Sequence, residues 1–442
     1  MLKAAVIAGL TSAGSVLAAG VAPSGAAPSL PGGERPASRS DPSTTADRAA
    51  WAHDAERELR HNILPFWLEH ARDRRRGGFH GRIGPELEVE SDAPRGVLLT
   101  SRLLWTFSAA HRRWPNADYL EMAQWALREL LERGWDKEEG GVFWTVDATG
   151  RPVSATKHVY NHSFAIYGLA EYHRATRDPE ALKRAIALYR LVEEKARDHR
   201  HGGYFEEFTR DWRRAPHGKG SILGGTGPKS QNTHIHVLEA YTNLLRVWPD
   251  EGLKSDLRAL LELMLTKIID PRTRHLGLFF QDDWTLVSEE YSYGHDIELS
   301  WLVVEAATVL GDEALLRRAR EMGLAMARVT LAEGVDPDGG VLNEGGPHGV
   351  TNANKDWWPQ AEAVVGFLSA YQLSGEGRFY AQARKTWSYI QSTFIDRRHG
   401  DWHETVSREG KPASRPKLTP WKCPYHNARA CLEVIERLEG ME

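Results

Sequence analysis

Cysteine is nearly missing from this chain: Cys423 and Cys431 are the only two in 442 residues. Two thiols eight positions apart cannot build a disulfide framework or a zinc cluster, so both read as unpaired. Positive charge in excess is missing too. Lys and Arg number 56 against 60 Asp and Glu, a net charge of −4 with neutral histidine, which excludes the basic field that nucleic acid or an anionic bilayer requires. Metal-binding spacing is also absent. No HExxH or clustered Asp/His set occurs, and His234 and His236 are only two positions apart, so no metal and no cofactor is expected.

What is there suits a large soluble core, with 41% hydrophobic and 26% charged residues. Length alone permits several domains or one closed repeat array. Residues 1–22 start with Lys3, continue as an uncharged apolar run and offer small-residue cleavage sites around Leu17 to Gly20. They read as a signal peptide, and 23–46, rich in Pro, Ser and Gly, as a flexible leader. Residues 47–442 are assigned to one catalytic domain. Export to the periplasm or medium follows from the signal, with a cytoplasmic protein as the alternative. After signal cleavage no membrane partner is expected, and the molecule is read as a monomer or weak dimer.

A glycine-aromatic element recurs six times, as GGFHG from Gly77, GGVFW from Gly140, GGYFE from Gly202, LGLFF from Leu276, GGVLN from Gly339 and HGDWH from His399. Successive starts differ by 63, 62, 74, 63 and 60 residues, and the segments between them carry helical periodicity. Twelve helices are predicted. An outer series with charged faces begins near Ala46, Ala117, Pro179, Gly252, Asp312 and Gly377. A more apolar and aromatic inner series begins near Arg95, Tyr160, Gln231, Gly294, Asp356 and Lys422. Six pairs without polar capping repeats favour closure over an open solenoid: an all-α (α/α)6 barrel with short β-hairpin loops.

Polar residues inside the inner series are the functional signal, because a purely structural inner helix should be apolar there. The helix starts carry Arg102; Tyr160; Asn232 with His234 and His236; His295 with Glu298; Trp358 with Glu362; and His426 with Asn427. A ring of helix N-termini favours an anion and disfavours protonated imidazole. Neutral histidines could then accept a proton while surrounding donors hold a developing oxyanion. For any single one of the 19 histidines a satisfied core role is the better reading. Three histidine segments at matching places in separate repeats shift that balance toward a shared site. Asp73 to Arg76 and Arg197 to His201 read as structural charge clusters.

The segments NTHIHVLEAY from Asn232, SYGHDIELSW from Ser292, WWPQAEA from Trp357 and WKCPYHNAR from Trp421 resemble the N-acylglucosamine 2-epimerase superfamily, and within it the cellobiose 2-epimerases. The resemblance spans Trp51 to Leu438 and implies an (α/α)6 barrel. It implies His295 and His426 as the acid/base pair and His236 as a third active-site histidine. It also implies Arg102 at the sugar oxygen near C1 or C2, and Tyr160 and Asn232 on hydroxyls. Glu298 and Glu362 would orient histidines, and Trp358 and Trp421 would stack on sugar. Of the two histidines in NTHIH, His236 fits the family spacing. The N-terminal extension departs from the family's usual form. The implied reaction is inversion of C2 at the reducing end of a β-1,4-linked disaccharide, through ring opening and a cis-enediolate. The alternatives are a mannose-type aldose-ketose isomerase and an inverting glycoside hydrolase using Glu298 and Glu362.

Overall fold

Apolar residues at helical spacing fold into twelve helices among the described residues of this computed structural model, which are 43–215, 222 and 225–441. The expected signal peptide and nearly all of the leader lie outside them. The folded part starts earlier than position 47, because the Thr44 hydroxyl caps a helix that begins at Thr45. The outer helices are Thr45–Glu58 with its continuation Leu64–His70, Ala117–Glu129, Pro179–Lys195, Glu251–Leu263, Glu313–Val329 and Gly377–Tyr389. The inner helices are Val97–Arg113, Val159–Thr176, Gln231–Leu245, Tyr293–Leu310, Trp357–Ser374 and Tyr425–Glu439. Asn116, Asp178, Asp250 and Asp312 each cap an outer helix by accepting from first-turn amides, which fixes where those helices start.

The two series bury themselves differently. Outer helix Glu251–Leu263 hides only a stripe, Leu253, Leu257, Leu260 and Leu261, whereas inner helix Val97–Arg113 is buried at every position from Val97 to Ala110. One face against neighbours gives the first pattern; enclosure on all sides gives the second. All the outer helices except Pro179–Lys195 contain a wide π turn, for instance Leu130–Gly134 and Thr330–Gly334.

Each inner helix packs on the next, and the last on the first. Short antiparallel ladders tie the repeats together at one end. The strand entering each inner helix pairs with a strand of the following repeat: Arg95–Gly96 with Thr145–Val146, Lys157–His158 with Glu207–Phe208, Lys229–Ser230 with Phe279–Phe280, Tyr291–Ser292 with Glu344–Gly346, and Lys355–Asp356 with Thr405–Val406. Ile83 of the first repeat pairs with Leu418 of the last, which closes the circle. The fold is an (α/α)6 barrel.

The six glycine elements are hairpins closed by single bridges, Arg72 to Phe79, Trp135 to Val142, Arg197 to Tyr204, Ile269 to Leu276, Val335 to Val341 and Ile395 to Trp402. An aspartate follows each first bridge residue: Asp73, Asp136, Asp198, Asp270, Asp336 and Asp396. In most of the hairpins its carboxylate accepts amides of the turn, as Asp136 does from Glu138 and Glu139. Cations entering the inner helices complete the clamp, with Arg95 on Asp73 at 2.5 Å, Lys157 on Asp136 at 2.8 Å, Lys229 on Asp198 at 2.6 Å and Lys355 on Asp336 at 3.0 Å.

Candidate active site

One register explains which inner-helix residues meet at the barrel axis. The second and sixth residues of each inner helix lie one above the other, four apart on one face. Those positions hold Tyr160, Asn232, Trp358 and His426 in the upper row, and Arg102, His236, Glu298 and Glu362 in the lower. In the fourth helix the second residue is Gly294, where a Cβ would come within 2.6 Å of the Trp358 ring. His295, one step later, lines the cavity instead.

In the second to fifth inner helices the fourth residue points the other way, to the hairpin. His162 Nε2 accepts the Val142 amide at 3.0 Å, His234 Nε2 the Tyr204 amide at 2.9 Å, Asp296 Oδ1 the Leu276 amide at 2.9 Å, and Gln360 Oε1 the Val341 amide at 2.7 Å. His234 is therefore a structural staple, its Nδ1 bonded to the Ser230 carbonyl at 2.7 Å. Burial holds it neutral, with its pKa brought down to about 4. His236, two residues on, faces the axis.

A cavity of about 290 Å³ opens there, lined by Arg102, Tyr160, Asn232, His236, His295, Glu298, Trp358, Trp421 and His426, with Trp357 and Glu404 added to the wall. Glu362 is the one predicted site residue behind the lining. A second compartment of about 350 Å³ shares Asn232, His295 and Trp358 and adds Phe279, Glu290, Asn343, Glu344 and Asn352. These residues sit in the short strands and loops between helices, where no helical periodicity marks them, and sequence reasoning did not find them. Trp421 precedes its helix, which starts at Tyr425 after Pro424 rather than near Lys422. Below the histidines the axis is filled by aromatic rings. Trp105 stacks on Tyr167 with centroids 5.2 Å apart and meets the Tyr425 ring edge-on.

Burial sets the histidines' charge. His426 Nδ1 lies 2.7 Å from Glu362 Oε1, which fixes Nε2 as the basic nitrogen. Desolvation, with Arg102 and Arg429 adding to it, holds that imidazole well below the ordinary value. Desolvation also brings His295 down to about 3, with His236 and His426 contributing; its Nδ1 is 3.3 Å from Gln231 Nε2. His236 is lowered by burial against the opposing pull of Glu239, whose Oε2 is 3.0 Å from its Nδ1.

Glu298 does not take the expected part. Its Oε1 accepts from Arg429 at 2.6 Å, its Oε2 is buried without a partner, and no histidine bonds it among the described residues. Burial and the neighbouring Glu362 raise its pKa well above the usual carboxylate range, against the pull of Arg429. The carboxylates that orient histidines are Glu362 and Glu239. Arg429, missed in the sequence, joins Glu239, Glu298 and Glu362. It lies one helical turn after Tyr425 on an apolar-patterned helix, a position that resembles a surface arginine until the barrel closes over it. Glu298, Glu362 and His426 offer ligand atoms within 4.8 Å of one another. A metal ion there would have to displace a guanidinium already bonded to both carboxylates, so this donor set does not suit one.

Arg102 is the opposite case. It is buried, no carboxylate among the described residues pairs with it, and its Nε has no partner. Its contacts are the Tyr160 hydroxyl at 2.5 Å, the Trp421 carbonyl at 3.3 Å and the Phe164 ring, 4.1 Å from the guanidinium carbon. An unneutralised buried cation lining a cavity is suited to an anion, or to an oxygen that becomes one.

The family described as N-acylglucosamine 2-epimerase matches residues 77–430. A cellobiose 2-epimerase of Bacteroides fragilis is 40% identical over 86% of this chain and 98% of its own length, and one of Dictyoglomus turgidum is 37% identical over 86% and 97%. The solved cellobiose 2-epimerase of Bacillus thermoamylovorans superposes with a TM-score of 0.85 at 39% identity, covering 88% of this chain and all of that one. The barrel, the axial cavity and these matches together make the chain a member of the N-acylglucosamine 2-epimerase family.

Proposed function

We propose that this enzyme inverts C2 of the reducing-end sugar of a β-1,4-linked disaccharide, converting cellobiose to glucosyl-mannose with no cofactor. The observation that carries the reading is a pair of imidazoles held neutral around one indole. Trp358 has the His295 ring 4.6 Å and the His426 ring 5.6 Å from its own centroid. Arg102, without a carboxylate, lines the same cavity.

The sequence of steps is ordinary carbohydrate chemistry. A histidine assists opening of the pyranose, and the C1 carbonyl acidifies the C2 proton. One imidazole removes that proton, and Arg102 holds the resulting cis-enediolate oxygen. Rotation about C2–C3 offers the other face to the second histidine, which takes up a proton from solvent and delivers it with inversion, while the first releases its proton to solvent. His236 stands by as a third imidazole, Tyr160 and Asn232 position hydroxyls, and Trp358 and Trp421 supply flat faces for sugar rings. Protonation at C1 instead would give the ketose, so aldose-ketose isomerisation uses the same intermediate. The names of the relatives support cellobiose as the substrate.

Hydrolysis is not favoured by the carboxylates. An oxygen of Glu298 and one of Glu362 lie within 4.8 Å of each other and both bond Arg429, whereas an inverting hydrolase separates its pair by roughly 6.5–9.5 Å. The deciding experiment is proton NMR of cellobiose in D2O. Deuterium should enter C2 with wild-type enzyme and not with His295→Ala or His426→Ala of unchanged thermal midpoint. Normal exchange in either variant, or release of free glucose by the wild type, would sink the reading.

A further inference from the structure

The fourth repeat departs from the common glycine directly behind His295, as the sixth does elsewhere with Asp401. In the first, second, third and fifth hairpins, the residue before the second bridge position is Gly78, Gly141, Gly203 or Gly340. At Gly141 and Gly203 a Cβ would come within 2.3 Å of His162 Nε2 and 2.6 Å of His234 Nε2, so the long staple residue demands glycine. In the fourth hairpin the staple is the shorter Asp296, and His275 fills the space.

The clamp changes with it. Tyr291 stands where Lys157, Lys229 and Lys355 stand in other repeats, two residues before the helix, so Asp270 has no buried lysine. The His275 imidazole pairs instead with two other carboxylates, Asp296 and Glu333. Its Nδ1 lies 2.7 Å from Asp296 Oδ2 and its Nε2 lies 3.2 Å from Glu333 Oε2. Its ring lies flat on Tyr291, with centroids 3.6 Å apart and planes 6° from parallel. Asp296 also takes the Leu276 amide, and the residue before it is His295.

We propose that His275 and Asp296 form a positioning pair that seats the first turn of helix Tyr293–Leu310, and with it His295, most firmly when His275 is an imidazolium. This rests on the proton-transfer role given to His295 above. The groups facing His275 are Asp296 and Tyr293 from the inner helix, Glu333 from the π turn Thr330–Gly334 and Tyr291 from the strand; its own hairpin adds the charged residues Arg274 and Asp270 in sequence. Burial lowers its pKa, and the bonds to Asp296 and Glu333 more than offset this, leaving it above the ordinary histidine value. Folded pKa above unfolded means the seat is complete at lower pH and weakens as pH rises through the folded value.

The test uses the full chain with His275→Asn, which keeps a donor near Nδ1 but cannot ionise, and Asp296→Asn, which keeps the Leu276 contact but cannot accept from an imidazolium. In each, kcat for C2 inversion of cellobiose should fall about tenfold from misplacement of His295, with KM unchanged. The decline of kcat at alkaline pH should disappear in His275→Asn, and the double variant should be no worse than either single one. An unchanged kcat and alkaline limb in His275→Asn would overturn the pair. So would kcat, KM and thermal midpoint falling together, which marks mere loss of structure. If the wild type exchanges no C2 proton, the functional reading fails separately. The pair is then judged by NMR of the His295 ring, whose signals must shift in His275→Asn; unmoved signals refute it whatever the reaction.

Discussion

Two side chains of the site carry opposite costs. Arg102 is a buried cation that no carboxylate among the described residues pairs with, and Glu362 is a carboxyl group bonded to both His426 and Arg429. Arg102→Met should therefore lower kcat/KM by ~10²–10³, the scale of one lost oxyanion donor. Because the change also removes an unpaired buried charge, the thermal midpoint should hold or rise, as a melting curve would show. The histidines' charge sets a pH expectation. Both are held below the ordinary histidine value by burial, and a base must be neutral, so the acid limb of kcat/KM should fall below about 6.5. A limb at or above the ordinary value would contradict this.

These residues were legible because polar groups interrupt apolar helices at repeat-matched places. Their sorting was less so. His234 and His236 differ only in register, and the hydrogen bond from the Tyr204 amide to His234 depends on where the hairpin lands. Glu298 and Glu239 are each three residues after a histidine, yet only Glu239 bonds its neighbour. Helical spacing permits both contacts; Arg429, arriving from the last helix, bonds both glutamates, and only Glu239 keeps its other oxygen on its histidine.

Among elements, the hairpins are fastened by charge. Burial works to raise the carboxyls of Asp73, Asp136, Asp198 and Asp396, and the turn amides with their cationic partners outweigh it. All four end below the ordinary aspartate value, Asp73 and Asp198 at about 2. Folded values below unfolded ones mean that this stabilisation is present above the unfolded pKa and is lost as pH falls toward 2. Stability in urea should accordingly drop steeply between about pH 4 and 2. Asp136→Ala, which strands the fully buried Lys157, should cost about 3–5 kcal/mol in the same assay, and Asp136→Ala with Lys157→Met less. The glycines that allow these turns stand out in the sequence. The clamp does not, since its lysine lies some twenty residues from its aspartate and reads as an ordinary loop charge.

The barrel is a closed circle, and its seam joins residues far apart in the chain. Ile83 pairs with Leu418, and Trp402 Nε1 donates to Glu58 at 2.7 Å. Closure removes the free ends at which a repeat array frays, so thermal unfolding should show one transition rather than several. Deleting residues 45–70 should abolish that transition, because the last inner helix packs against this segment; calorimetry checks both. The repeat count was visible from six glycine elements, but the residues that weld the last repeat to the first carry no signal except through the assembled ring.

The aromatic floor formed by Trp105, Tyr167 and Tyr425 has a kinetic consequence. With the axis blocked beneath the histidines, a sugar chain can enter and leave only by the hairpin end, its terminal unit foremost. Such a catalyst cannot thread or slide along a polymer. For the proposed inversion, each event should then be followed by complete withdrawal, with every chain end a separate encounter and turnover distributive.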